Sequence, residues 1–418
     1  MTGTADRPGG SAERPVVACY CATFLKPEML HIYRQITALE RVRPIVVAQK
    51  REEADRFPFD ALTVLPKART HFLRRIWFRQ LRDVPWQISH SETTRLLAVL
   101  AAQRAELLHI YLGHIAVHLL PLIARWNGPS VVSFHGADVM VELEKPAYRS
   151  ATLRMLAAVR LVLVRSESLR AALVALGCAA DKIRVQRTGI PLHEFPFRER
   201  TPPTEGSWRL LQAGRLIEKK GLRTTLRAFA AFARDYPNAR LTIAGEGPLL
   251  DALRQLAGEL QIAERVVFAG FKAQAELREL FYESHIFLHP SETGADGNQE
   301  GVPNSMLEAM ASGLPVVSTR SVGVVDCLTH DVDGLLHEPG DVAGLHVLLE
   351  QALSDGALRT RLATAALEQV RTRYSWPVLA RSIDAVYGEL AGTAPDLAWQ
   401  PPAAVDPSCR FRAAAHLL

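Results

Sequence analysis

The stretch His285-Ile-Phe-Leu-His-Pro290, followed after a loop by Glu300-Gly-Val-Pro-Asn-Ser-Met-Leu-Glu308, reads as a buried strand, a long loop and a helix start. The apolar run stops at a proline, Gly301 and Pro303 punctuate the turn, and Ser305 to Ala311 holds good helix formers. A strand that feeds a helix in this way is the repeating unit of a parallel α/β sheet. The helix start offers unpaired N–H groups and a positive dipole end, which attract an anion. Carboxylates beside it serve either by accepting hydrogen bonds from hydroxyls or by facing a developing cation. A sugar nucleotide supplies all three partners.

Outward from this turn the same alternation repeats. On the C-terminal side of the chain, strands are expected at Arg209–Ala213, Arg240–Ala244, Val266–Ala269, His285–Leu288 and Pro315–Ser318. On the N-terminal side they are expected at Val16–Tyr20, Pro44–Ala48, Leu62–Leu65, Leu107–Leu112, Ser130–His135, Leu161–Arg165 and Lys182–Gln186. Helix-period segments separate most of them, so two mostly parallel sheets are expected, each covered on both faces. The Pro-rich, aperiodic stretch 191–208 reads as a linker between an N-terminal domain (16–190) and a C-terminal domain (209–375). A helix is expected over 376–390, with a disordered N-terminus (1–15) and a flexible tail (391–418).

The 418 residues, 48% hydrophobic, suffice for two cores. A net charge of +5 favours anionic ligands or surfaces. No apolar run has the length of a membrane span: Leu107 to Ile123 is interrupted by His109, His114 and His118. The first residues lack the order of a signal peptide, so a cytoplasmic location is expected. Five irregularly spaced cysteines fit reduced packing residues. The segment Lys67 to Arg82 interleaves cations with large apolar residues and reads in two ways. It suits peripheral contact with a bilayer interface, or a surface helix with Phe72, Ile76 and Trp77 turned to its own core. No nucleic-acid-binding motif accompanies it.

Several polar constellations follow the expected strands. Gly214-Arg215-Leu-Ile-Glu-Lys219-Lys220-Gly221 places a forked guanidinium and a compact ammonium before a helix, which suits a diphosphate. Its spacing is that of neither a P-loop nor a dinucleotide fold. Gly245 permits close approach of a ribose or base, and Phe271 and Lys272 form a further edge for a nucleobase. In the N-terminal half, Ser133-Phe-His135-Gly-Ala-Asp138 puts a histidine where it can hydrogen-bond a sugar hydroxyl or a phosphate. Asp331-Val-Asp333 has the form of a cation site but sits in a turn leading to a strand. Arg215 and Lys220 would neutralise a diphosphate in place of a metal, so neither metal nor other cofactor is expected.

With these residues assembled, the chain resembles the family-four retaining glycosyltransferases of GT-B architecture, over about Val16 to Leu390. The resemblance implies two Rossmann-like doubly wound α/β domains facing across a cleft. It implies that Glu308 holds the donor ribose, that Glu300 faces the transferred sugar, and that the backbone of Gly301, Val302, Pro303, Asn304 and Ser305 caps the diphosphate clamped by Arg215 and Lys220. It makes His135 a contact of the donor sugar, and it implies retention by front-face attack with no side-chain base. The loop Cys21 to Tyr33 lacks a Gly-Gly pair and resembles the subset acting in exopolysaccharide and colanic-acid-like assembly, with a glycan or polyisoprenoid-linked acceptor. Asp326 stands where a glutamate is commoner. Two alternatives stay open: a nucleotide-sugar epimerase on the same fold, and a non-catalytic nucleotide-sugar-binding partner.

Overall fold

Leu161-Val-Leu-Val164 is buried at every residue, as are Leu107–Tyr111 and Ser130–Phe134. Such uninterrupted burial arises when helices cover both faces of a parallel sheet. The structure, a computed structural model, describes residues 14–26, 29–66, 71–78, 83–135, 143–295 and 299–391. One sheet contains β1 (Val16–Phe24), β2 (Arg43–Arg51), β3 (Leu62–Val64), β4 (Leu107–Tyr111), β5 (Ser130–Phe134), β6 (Leu161–Val164) and β7 (Ile183–Val185). The other contains β8 (Arg209–Ala213), β9 (Arg240–Ala244), β10 (Val266–Gly270), β11 (Ile286–His289), β12 (Val316–Thr319) and β13 (Leu335–His337). Their orders are β3-β2-β1-β4-β5-β6-β7 and β10-β9-β8-β11-β12-β13, with parallel pairing throughout.

Each order reverses once, between β1 and β4 and between β8 and β11. A crevice opens at such a switch point, beyond the strand C-termini. In the second sheet the loop Gly214–Gly221 leaves β8 and the stretch 290–295 leaves β11 at that point, and the basic loop meets Glu300 there. Alternate residues of β1 serve the two faces: Ala18 and Tyr20 join one apolar cluster, Val17, Cys19 and Cys21 the other. That second cluster also takes Ile383, Val386 and Tyr387 from the helix Trp376–Leu390, so the last described helix packs on the first sheet. His109 Nδ1 lies 2.5 Å from the Tyr387 hydroxyl beneath it.

Polar contacts also join the halves. Arg34, on the helix Leu30–Thr37, donates from its Nη2 to both carboxylate oxygens of Glu194 at 2.7 and 2.9 Å. Asp326 accepts the backbone N–H of Glu167 at 3.3 Å, at the positive end of the helix Glu167–Leu176. The commonly longer residue is here a shorter one that reaches a helix start across the chain.

Candidate active site

The turn at Glu300 is built by close backbone approach. Gly221 has φ +61°, and a Cβ there would stand 1.7 Å from the Pro290 carbonyl oxygen. Only glycine lets the loop after β8 lie against the end of β11. That approach puts the Lys220 ammonium 2.6 Å from Glu300 Oε2, both side chains nearly buried at 13% and 10% exposure. Lys219 donates to the Gln299 carbonyl at 3.1 Å. Burial pushes the Glu300 carboxyl up, but the Lys220 ammonium, with Lys219 adding, outweighs it and holds the group below its ordinary value. Glu300 is therefore an anion at neutral pH. Behind the pair, His289 is fully buried, and its ring is pushed down to about 3 by burial and then by Lys220. It is a neutral imidazole.

The helix Asn304–Ala311 starts after Pro303 with no side-chain cap, leaving its first N–H groups directed toward the turn. Ser305 ties this start to β8 by donating to the Ala213 carbonyl at 3.0 Å. Gly323 is needed on the far side, because a Cβ there would come within 2.2 Å of the Gly301 carbonyl oxygen. Glu308, farther along the helix, occupies a different environment. It is buried, and burial raises its carboxyl to about 7, moderated by Gln274 and by Arg34, while Glu194 raises it further.

The other expected site residues are distributed as follows. The Arg215 side chain is exposed and makes no hydrogen bond or ion pair among the described residues, so Lys220 and Glu300 meet without it. Gly245 packs against the β8 exit, where an added Cβ would be 1.9 Å from the Gly214 oxygen. Phe271 is 65% exposed at the β10 exit, and Lys272 pairs with Glu276 at 3.4 Å. Val302 and Asn304 are partly exposed at the helix entry.

In the N-terminal half, His135 closes β5 with both ring nitrogens engaged, Nε2 to the Ser133 hydroxyl at 2.9 Å and Nδ1 to His31 Nε2 at 3.1 Å. Gly136 to Asp138 lie outside the described residues. Sequence reasoning missed His31, Arg34 and Glu194 as neighbours of the site. Their partners are 104 and 160 residues away in the chain, and only the unusual Cys21–Tyr33 loop signalled that something there departs from pattern. Asp331 pairs with Arg361 at 2.7 Å and Asp333 accepts the Thr329 N–H at 2.6 Å, both within a turn. His109, His114 and His118 do not converge: His109 faces Tyr387, and His118 Nδ1 lies 2.5 Å from the Trp86 carbonyl. Cys19, Cys21, Cys178 and Cys327 are buried free thiols.

Two parallel α/β sheets, one with a charged turn at its switch point, define a protein of two doubly wound halves. Residues 30–194 match the family model described as Glycosyltransferase Family 4, and residues 194–369 the model described as Glycosyl transferases group 1. The chain thus carries these two glycosyltransferase family domains in tandem. The amylovoran biosynthesis glycosyltransferase AmsK of Erwinia amylovora is 33% identical over 265 residues, 63% of this chain and 65% of AmsK. The provisionally named colanic acid biosynthesis glycosyltransferase WcaL of Escherichia coli is 32% identical over 222 residues, 52% of this chain and 54% of WcaL. The matches thus span between half and two thirds of these curated relatives. Anabaena HepE, solved in complex with UDP, superposes with a TM-score of 0.69 at 17% identity, covering 90% of this chain and 100% of that one. Sucrose-phosphate synthase from Thermosynechococcus elongatus gives 0.65 at 18% identity, covering 91% and 100%. The fold is GT-B.

Proposed function

We propose that this chain transfers a sugar, with retention, from a nucleoside-diphosphate donor to a glycan or polyisoprenoid-linked acceptor in exopolysaccharide assembly. The observation that carries the proposal is the buried Lys220–Glu300 pair at the uncapped start of the helix Asn304–Ala311. When the bond from the sugar's anomeric carbon to the diphosphate breaks, negative charge grows on the leaving phosphate and positive charge on the sugar ring. Lys220 and the backbone N–H groups of Gly301, Val302, Asn304 and Ser305 meet the first, and the ionised Glu300 faces the second. Arg215, exposed at the same loop, swings to the diphosphate as a fork. Glu308 accepts the ribose hydroxyls, and Gly245, Phe271 and Lys272 border the base. The acceptor oxygen bonds to the anomeric carbon on the face the diphosphate leaves, and its proton passes to the departing phosphate, so no side chain acts as base. The charge is neutralised by side chains, and no metal or other cofactor is assigned.

Support for a nucleotide-sugar donor comes from Anabaena HepE, solved with UDP and with UDP-glucose, and for an exopolysaccharide role from the name of AmsK. A cytoplasmic, membrane-facing placement accompanies the reading. No helix among the described residues is long and apolar enough to cross a membrane. However, Leu73 and Trp77 are 69% and 43% exposed beside Arg75, while Phe78 faces the core in place of Trp77. Lys67 to Thr70 and Arg79 to Arg82 of that segment lie outside the described residues.

A panel of UDP-, GDP- and ADP-sugars should contain one that raises the melting temperature, with about 2.7 kcal/mol of stabilisation at a hundredfold excess over Kd. Turnover with that sugar should survive EDTA, and a panel with no stabilising member sinks the reading. Anionic liposomes should retain the parent chain and release the Arg74→Glu, Arg75→Glu variant; equal retention removes the membrane contact.

A further inference from the structure

We propose that His31 is a positioning residue that acts through His135, deciding whether His135 Nε2 donates or accepts the hydrogen bond offered to a sugar hydroxyl. The inference rests on the reading of His135 as the contact of the donor sugar.

His31 comes from the start of the helix Leu30–Thr37, His135 from the end of β5. Their rings are 5.2 Å apart between centroids and tilted by 50°, and His31 Nε2 lies 3.1 Å from His135 Nδ1. This is an edge contact through nitrogens rather than a stack. Burial, then the Arg165 charge, then His31 itself push His135 well below the ordinary histidine value, so its ring is neutral and carries one proton. A bond between two imidazoles needs an N–H on one side and a lone pair on the other. If His31 donates, Nδ1 of His135 is the acceptor and Nε2 holds the proton; if His31 accepts, the assignment reverses. The second neighbour, Ser133, lies 2.9 Å from Nε2 and has a hydroxyl that both donates and accepts. Ser133 accommodates either tautomer and can yield Nε2 to a sugar hydroxyl. His31 is the partner that selects between the two.

The test uses the full chain labelled with ¹⁵N-histidine. In the parent, the two ring nitrogens of His135, assigned by their disappearance in His135→Gln, should give the well-separated shifts of a single neutral tautomer. His31→Ala should draw them toward a common average. His31→Gln, whose amide reaches the place of Nε2, should restore the separation, whereas His31→Asn, whose amide mimics Nδ1, should not. His135 shifts unchanged in His31→Ala, or equal restoration by glutamine and asparagine, would overturn the proposal. Failure of the underlying reading looks different. His135→Ala would then keep the extra thermal stabilisation that UDP-glucose or GDP-mannose gives over the bare nucleoside diphosphate, while the tautomer still followed His31.

Discussion

Glu300 and Glu308 are the same residue type in one turn and the helix that follows it, 9% and 7% exposed, yet their carboxyls are shifted in opposite directions. Burial acts on both in the same direction. What differs is the partner: Glu300 has the Lys220 ammonium at 2.6 Å, whereas Glu308 has an amide and an arginine already paired with Glu194. One carboxylate is held ionised and the other is raised to about 7. A shared motif therefore does not give its carboxylates a shared chemistry; the groups brought from other loops do.

The largest effect should come from removing the lysine, which makes the surroundings of Glu300 resemble those of Glu308. Lys220→Ala takes a charge from the proposed diphosphate site and leaves Glu300 buried without its paired ammonium. Sugar transfer should fall by about 10²- to 10³-fold, the usual cost of one preorganised charge-stabilising group. Lys220→Arg should recover part of the loss. A rate within threefold of the parent would mean that the pair is structural and the two carboxylates are equivalent bystanders.

The contrast between the two residues also marks what could be read from the chain alone. The strand, turn and helix around Glu300 are local, and the basic loop after β8 follows from the same periodicity, so both ends of the Lys220–Glu300 pair were legible before any coordinates. The fold was legible for the same reason: β5, β6, β8 and β11 are short apolar runs bounded by turn residues. The surroundings of Glu308 were not. Arg34 and Glu194 come from a helix in the first half and from the stretch between the sheets, and neither carries a periodic or motif signal. Charge states that depend on tertiary approach leave no local trace. His31 escaped attention for the same reason, and strand ends were shifted by a residue where apolar runs met β-sheet exits, as at His289, which belongs to β11.

The second effect is a pH dependence confined to one of the two carboxylates. The folded value of Glu308, about 7, lies above its ordinary 4.5, so the fold favours the protonated group. Its contribution to stability is complete below about 4.5 and is lost as pH rises through 7. On the proposed assignment of Glu308 to the donor ribose, donor binding has the reverse sign, because ribose hydroxyls donate to the ionised form. Between pH 6 and 8 the ionised fraction rises about tenfold, and donor affinity should follow it. Glu308→Gln should bind the donor more weakly and flatten the curve, while Glu300→Gln should leave its midpoint in place. A midpoint that follows Glu300 would reverse the assignment of states.

The smallest effect is also the most specific, because it predicts two shifts of opposite sign from the two members of one ion pair. Arg34 lowers the Glu308 value and Glu194 raises it. Arg34→Met removes the cation and leaves the Glu194 anion unneutralised beside Glu308, so both consequences push the midpoint of the donor-affinity curve upward. Glu194→Gln removes the repelling anion and frees the arginine, so the midpoint moves down. About half a pH unit each way is expected for partly screened charges. The pair also ties the first half of the chain to the stretch after β7, so each substitution could loosen the halves and weaken the donor equally at every pH. That general loss lowers the curve without moving its midpoint. Measuring donor affinity against pH in both variants separates the two consequences. Midpoints that move in the same direction would show that Glu308 senses the packing of the halves rather than the charges of Arg34 and Glu194.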